Sequence, residues 1–207
     1  RGITAGSSSE KLPAATGVIS HCTLTAKNFS NPGDGVFQLI TVYGGGNVVP
    51  PKQNTNEGTL YFDPGFGTSN AVFVEDCSFS QNAQGDATIE TYFGAKVVVR
   101  HCTGTNFMLG IHGNDSGNRS GHIVELYRNQ FHNYLGNHHW GTILSRGGSG
   151  VVWENAITSS QSSNANRLVL LSYRSAGRLA VDQPDFKSRF PYNMGQLDGS
   201  NPNDGNR

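Results

Sequence analysis

The stretch Val97-Val-Val-Arg-His-Cys-Thr-Gly104 carries the pattern that decides the fold of this chain. Apolar residues occupy its first and third positions, a cysteine occupies the sixth, and the eighth is apolar or small. The same pattern, with Cys or Asn at the sixth position, returns in residues 17–24, 72–79, 124–131 and 150–157. The Cys/Asn positions are 22, 77, 102, 129 and 155, and the last three spacings are 25, 27 and 26 residues. The first spacing, 55 residues, is about twice as long, which predicts a degenerate copy in between.

Each copy alternates between apolar and polar residues, which indicates a β-strand with one buried face. A strand that recurs about every 25 residues, with no helical pattern between the copies, predicts a β-solenoid. One coil of a solenoid cannot bury its apolar face alone, so the stacking of coils must supply the core. The residues at the two predicted inward positions are Ile19, Val74, Val99, Leu126 and Val152, and Leu24, Phe79, Gly104, Phe131 and Ile157.

A second set of strands, each followed by a turn, is predicted at 36–40, 60–62, 88–93, 107–112 and 142–146. The turn at 113–121 is long and polar, and solenoids carry such insertions as loops on one face, often the binding face. We therefore predict an all-β chain of about seven coils. Residues 1–172 are expected to form the parallel β-helix coils, and residues 173–207 an irregular C-terminal capping or loop segment.

The charge balance excludes several classes of function. Among the 207 residues, Lys+Arg and Asp+Glu both number 15, so the formal net charge is zero. This balance gives no support to nucleic-acid binding or to polybasic membrane association. The chain has no run of 18 or more apolar residues, so we expect no membrane span. It starts at Arg1 without a Met or a signal peptide, and we expect it to be a fragment of a longer protein.

The strand–turn–strand repeat with its Cys/Asn positions resembles the right-handed parallel β-helix of the pectate-lyase-like superfamily, over roughly residues 17–172. Segments such as His112-Gly-Asn-Asp-Ser-Gly and Arg146-Gly-Gly-Ser-Gly-Val are similar to those of bacterial secreted β-helix repeat proteins of undefined activity. The resemblance implies a right-handed parallel β-helix and an extracellular or cell-surface location. It does not imply one activity, because this fold hosts lyases, hydrolases, adhesins and phage tailspikes.

The three cysteines are predicted to be structural. Cys22, Cys77 and Cys102 occupy the same repeat position as Asn129 and Asn155, so the five residues should stack as one ladder about 4.8 Å apart. A free cysteine behaves as a small buried hydrophobe, and an asparagine at the same bend can bond its stacked neighbours. A disulfide or a metal site is the alternative, but the chain has no CxxC and no zinc-like spacing.

Two outward columns precede the ladder. One contains residues 21, 76, 101, 128 and 154, and the other residues 20, 75, 100, 127 and 153. Opposite charges follow one another in both columns, as cross-strand pairs prefer. The structural interpretation is therefore two columns of solvent-exposed charge pairs that contribute little to stability. The functional interpretation is a polar groove for sugars with Tyr127 and Trp153 as a stacking platform.

The loop after the second strand set supplies the other candidate residues. His112, Asp115, Arg119 and Arg146 could converge there, and a polysaccharide lyase needs a cation beside the uronate carboxylate and a base for its α-proton. We therefore predict His112 and Arg146 as catalytic residues if the protein is an enzyme, and Asp115, Arg119 and His132 as further ligand contacts. The alternative is a structural loop, because Asn-Asp-Ser-Gly is also a common turn sequence.

Three functions remain after these steps. The first is an extracellular β-helix that binds polysaccharide or a cell-surface glycan, or serves as a surface structure, without confirmed catalysis. The second is a polysaccharide lyase acting on a uronate-containing glycan. The third is a fibre or tailspike-like component, for which a homo-oligomer is expected. No cofactor is expected, although the oxygen-rich stretch 198–206 could hold calcium without matching an EF-hand loop.

Overall fold

Short strands joined by bends make up the part of the chain that the structure describes. The computed structural model describes residues 2–6, 15–26, 38–44, 67–81, 87–92, 94–111, 121, 123–134, 142–145, 148–159, 169–171 and 177–182. Seventeen strands of three to six residues lie within these ranges, and they form three sheets in which every pairing is parallel.

Each of the first five coils contributes one strand to each sheet, so paired neighbours are three strands apart in the chain. Sheet A contains β1 (Ile3–Ala5), β4 (Ile40–Tyr43), β7 (Ile89–Tyr92), β10 (Leu109–Ile111), β13 (Ile143–Ser145) and β16 (Val169–Leu171). Sheet B contains β2 (Gly17–Ser20), β5 (Val72–Glu75), β8 (Lys96–Arg100), β11 (Ile123–Tyr127), β14 (Gly148–Trp153) and β17 (Gly177–Asp182). Sheet C contains β3 (Thr23–Ala26), β6 (Ser78–Gln81), β9 (Thr103–Thr105), β12 (Gln130–Asn133) and β15 (Ala156–Ser159). The predicted all-β parallel β-helix is therefore confirmed.

The core consists of the columns that the repeat predicts. Val74, Val99 and Leu126 are paired in register and have no exposed surface. Residues from all three sheets join them in one apolar cluster, because alternate side chains of every strand point into the coil.

Gly104 interrupts the inward column between Phe79 and Phe131. The ring of Phe107 fills this gap: its centroid lies 5.5 Å from that of Phe79 and 4.0 Å from that of Phe131, with an interplanar angle of 3° to the latter. A side chain at Gly104 would crowd Phe79, since an added Cβ would lie 3.1 Å from the Cβ of Phe79. Gly104 therefore leaves room in this inward column for the ring of Phe107, which belongs to a different part of the coil.

The predicted degenerate coil between residues 22 and 77 is wrong. Residue Gly17 of β2 pairs with Val72 of β5, and β3 pairs with β6, so these are adjacent coils. The long spacing arises because the chain between β4 and β5 is an insertion, of which residues 67–71 are described. The described strands thus form six coils, the sixth represented by β16 and β17, against an expected seven or so.

Each copy of the repeat also proves to be two strands. The predicted inward positions, such as Ile19 and Leu24, are five residues apart, and an unbroken strand would turn such residues to opposite faces. A bend at residues 21 and 22 separates β2 from β3 and restores both side chains to the interior. The same division occurs in all five described copies.

The second strand set lies in sheet A, and its last three members begin one or two residues later than predicted, while their predicted last residues, 93, 112 and 146, lie outside the described residues. β4 begins at Ile40, where the predicted strand ends, and the predicted strand at 60–62 lies outside the described residues. Regular pairing also continues beyond residue 172, because β17 pairs with β14 from Gly177 to Asp182. The rest of the segment predicted to be irregular, 183–207, lies outside the described residues.

We expect Val99→Asp to unfold several coils, because Val99 is fully buried and a carboxylate there would have no partner. The expected loss in the free energy of unfolding is about 4 kcal/mol or more. Val18→Asp is the matched control, since Val18 is a strand valine that is 61% exposed. Thermal denaturation followed by circular dichroism measures both variants. Equal melting temperatures for the two would contradict the inward assignment of Val99.

Candidate functional site

The bend between sheets B and C is left-handed in the first five coils. The residue that follows each of the sheet B strands β2, β5, β8, β11 and β14 has a φ between 50° and 56°, although none of these residues is a glycine. Such a conformation costs a non-glycine residue about 1 kcal/mol or more, so the surroundings must hold it in place. Their side chains are exposed and form one column, which we call the ridge: His21, Asp76, His101, Arg128 and Glu154.

The ladder residues that follow the ridge hold the bend. Each of the last four places its donor atom within hydrogen-bond distance of a backbone oxygen of the preceding coil, three residues before that coil's own ladder position. Asn129 and Asn155 donate an N–H there, whereas the single S–H of Cys77 or Cys102 is shared with a nearer carbonyl of its own coil, that of Glu75 or Arg100, at 3.3 Å. The donor–acceptor pairs are Cys77 Sγ to Ile19 O at 3.6 Å, Cys102 Sγ to Val74 O at 3.5 Å, Asn129 Nδ2 to Val99 O at 3.0 Å, and Asn155 Nδ2 to Leu126 O at 2.8 Å. Successive coils are therefore tied together at the corner where sheet B meets sheet C.

Asparagine adds an acceptor that cysteine lacks. The Oδ1 atom of Asn129 accepts the backbone N–H of Cys102 at 2.9 Å. The Oδ1 atom of Asn155 accepts both the N–H and the Nδ2 of Asn129, at 3.1 and 2.8 Å. A buried backbone N–H without a partner is costly, so the asparagines stabilise the bend in both directions along the helix axis.

The three cysteines are free thiols. Cys77 and Cys102 are buried, whereas Cys22 in the first coil is half-buried. Burial raises the pKa of Cys77, and burial raises the pKa of Cys102 to about 12. Thiols of this kind are inert, which suits a structural ladder.

The outward column before the ridge is continuous over four coils. Glu75, Arg100, Tyr127 and Trp153 are paired in register, and we call this column the outer stripe. Arg100 is its centre: its Nε and Nη2 lie 2.7 and 2.6 Å from Oε2 of Glu75, and its Nη1 donates to the hydroxyl of Tyr127 at 3.1 Å. Its guanidinium also lies 5.0 Å from the centroid of the Phe73 ring. The bonds to Tyr127 and Glu75 raise the pKa of Arg100.

The aromatic end of the stripe differs from the expected sugar platform. The rings of Tyr127 and Trp153 stack on each other, with centroids 4.1 Å apart and an interplanar angle of 15°. A platform needs ring faces that are open to solvent, but here the two facing surfaces contact each other. Both residues are half-buried, so a ligand on the stripe would meet mainly ring edges.

A buried carboxylate borders the stripe. Glu125 lies in the outward column that also contains Phe73, Val98 and Val151, and only 5% of its surface is exposed. Its Oε1 accepts the backbone N–H of Gly67 at 2.7 Å. Because Gly67 lies over the fourth coil and the following strand is in the second, residues 67–71 cross the outer face of sheet B beside the stripe. The stripe thus runs between this segment, which we call the wall, and the ridge.

His132 lies elsewhere. It projects from the exposed face of sheet C, where its Nδ1 is 2.8 Å from the Oγ1 of Thr158, so the structure does not bring it to the stripe. The remaining predicted site residues are His112, Asp115, Arg119 and Arg146, and all four lie outside the described residues. The lyase hypothesis depends on them and stays a prediction.

A second polar cluster lies on the outer face of sheet A, around the carboxylate that the sequence places inside the second strand set. Glu90 is 6% exposed and accepts a hydrogen bond from Nε2 of Gln38 at 2.8 Å, and Oγ1 of Thr41 donates to Oε1 of Gln38 at 3.3 Å. Gly110 leaves room for this carboxylate, since an added Cβ would lie 3.0 Å from Oε1 of Glu90. Glycoside hydrolysis with inversion uses two facing carboxylates, whereas this cluster holds one that is bonded to an amide.

Within the described ranges, no group of three or more His, Cys, Asp or Glu side chains could hold a metal ion. The oxygen-rich stretch 198–206, named above as one that could hold calcium, lies outside those ranges. No helix in the described part of the chain is long and apolar enough to cross a membrane. No protein-family model, curated protein or solved structure matches this chain.

We expect Asn129→Ala to lower the free energy of unfolding by about 3 kcal/mol, because it leaves the Cys102 N–H and the Val99 carbonyl without their partners. Asn129→Cys should lose less, since a thiol can still donate as it does in the neighbouring coils. Gln130→Ala, at the exposed next position, is the control. Urea denaturation measures all three, and a loss for Gln130→Ala that matches Asn129→Ala would contradict the ladder.

We expect Cys77 and Cys102 to resist an aromatic disulfide reagent in the native protein at about pH 8. With its pKa at about 12, Cys102 would be a thiolate in roughly one molecule in 10⁴ at that pH. Cys22 should react first, and all three should react in urea. Rapid reaction of Cys102 in the folded protein would show that the ladder is open to solvent.

Proposed function

We propose that this protein is an extracellular β-helix that binds a linear polysaccharide along its long axis, on the outer stripe. One observation carries the proposal: the stripe runs in register across four coils, half-exposed, beside the ridge along its whole length and beside the wall from the second coil to the fourth. A trough of this kind suits a polymer that lies along the axis rather than a compact ligand.

The chemistry of the stripe also suits a glycan. Arg100, Tyr127 and Trp153 stand on successive strands, which are about 4.8 Å apart, so a guanidinium, a phenol and an indole follow one another along the axis. A linear polysaccharide repeats its hydroxyls and apolar C–H faces from one sugar to the next. Tyrosine and tryptophan offer an apolar ring with one polar group, so they can contact both kinds of surface.

Two features support a relationship to the pectate-lyase-like β-helix proteins: the coil of three sheets and the Cys/Asn ladder at the bend. Because that fold hosts both enzymes and adhesins, it is the stripe and not the fold that supports the binding function. A surface-structural rod is the second candidate. Continuous parallel pairing through six coils favours it, since such a stack is stiff along its axis.

We expect Trp153→Ala and Arg100→Ala each to weaken binding of the glycan found in a panel screen about tenfold, as central contacts of an interface do. His132→Ala is the control on another face and should bind as the unaltered protein does. Affinity electrophoresis or calorimetry measures binding, and the melting temperature shows that each variant is folded. A loss confined to His132→Ala would move the site to sheet C, and the absence of any glycan ligand would favour the rod.

A further inference from the structure

We infer that the outer stripe selects a neutral glycan over a uronate polymer, and that Glu75 and Glu154 set this selectivity. The inference rests on the proposed function for the ligand class. It concerns a separate property of the same surface, which is the charge that the stripe and the ridge present to a ligand.

Arg100 is the cation that a uronate would need on the stripe, and each of its three nitrogens already has a partner. Two of its nitrogens face the Glu75 carboxylate, at 2.7 and 2.6 Å, and a third donates to the Tyr127 hydroxyl. Its Cζ lies over the ring of Phe73, 5.0 Å from the centroid. The fork that pairs with carboxylates in other proteins is therefore turned toward Glu75, whose side chain is only 20% exposed.

The second arginine of this surface is paired in the same manner. On the ridge, Nε of Arg128 donates to Oε2 of Glu154 at 2.7 Å, one coil along the axis. The pair is exposed, so its own contribution to stability is small. Its consequence for a ligand is larger, because the Glu154 carboxylate already neutralises the positive charge that an incoming carboxylate would meet at Arg128.

The net charge of the stripe and the ridge also disfavours an anionic ligand. The described side chains of the stripe and the ridge carry three carboxylates, at Glu75, Asp76 and Glu154, against two guanidiniums. A uronate polymer adds one negative charge per residue along this line and would be repelled. A neutral glycan needs no displacement of either ion pair, and its hydroxyls can bond to the same carboxylates and to the ring edges of Tyr127 and Trp153.

The test uses an oligogalacturonate and its full methyl ester, which share one backbone and differ in charge. Binding of both is measured by calorimetry at about pH 7.5, above the ordinary titration range of histidine, and at low and high salt. The proteins are the unaltered chain, Glu75→Gln, Glu154→Gln and the double variant. Asp76→Asn is the matched control, because it removes one negative charge from the ridge without releasing an arginine.

We expect the unaltered protein to bind the ester and not the acid, and the double variant to gain about tenfold or more for the acid, with an affinity that falls as salt rises. Asp76→Asn should gain less. The inference is overturned if the unaltered protein binds the acid as tightly as the ester, or if the double variant gains nothing. If the unaltered protein binds no glycan at all, the proposed function fails, yet a gain by the double variant would still establish that Glu75 and Glu154 occupy the arginines.

Discussion

The left-handed bend after the first five sheet B strands is the constraint on which the rest of this structure depends. It turns the chain so that the ladder residue enters the interior while the ridge residue stays outside. The conformation is unfavourable for non-glycine residues, and it recurs in five successive coils. Hydrogen bonds from the ladder to the preceding coil offset that cost, so each bend is stable only next to its neighbour. Cooperativity between coils follows, as expected for a solenoid.

The same register that builds the core also determines the surface chemistry. Equivalent side chains of adjacent coils lie about one strand spacing apart, so any charge on the outside meets its equivalent in the next coil. The pairs Glu75–Arg100 and Arg128–Glu154 show the result, because each joins residues from consecutive coils. A surface of this kind neutralises itself, and its outward arginines are therefore poor indicators of an anionic ligand.

The repeat made the core predictable, because in a parallel solenoid equivalence in sequence becomes adjacency in space. Val99 and the ladder could be placed from spacing alone for this reason. The spacing could not distinguish an insertion from a degenerate coil, so the interval between Cys22 and Cys77 was misassigned. The contact between Glu125 and Gly67 could not be predicted either, since it joins an insertion to a coil that lies two turns further along.

Departures from the repeat mark the places where residues from outside it make contact. Gly104 removes a side chain from an apolar inward column, and the ring of Phe107 occupies the space. Glu125 puts a carboxylate into an outward column that is otherwise mostly apolar, and the N–H of Gly67 satisfies it. Neither residue would be stable with its own column alone: Gly104 would leave a gap in the core, and Glu125 would be a buried charge without a partner. The compensating group comes from a turn or an insertion. A residue that breaks the pattern of its column therefore predicts a contact with a residue that lies outside the repeat.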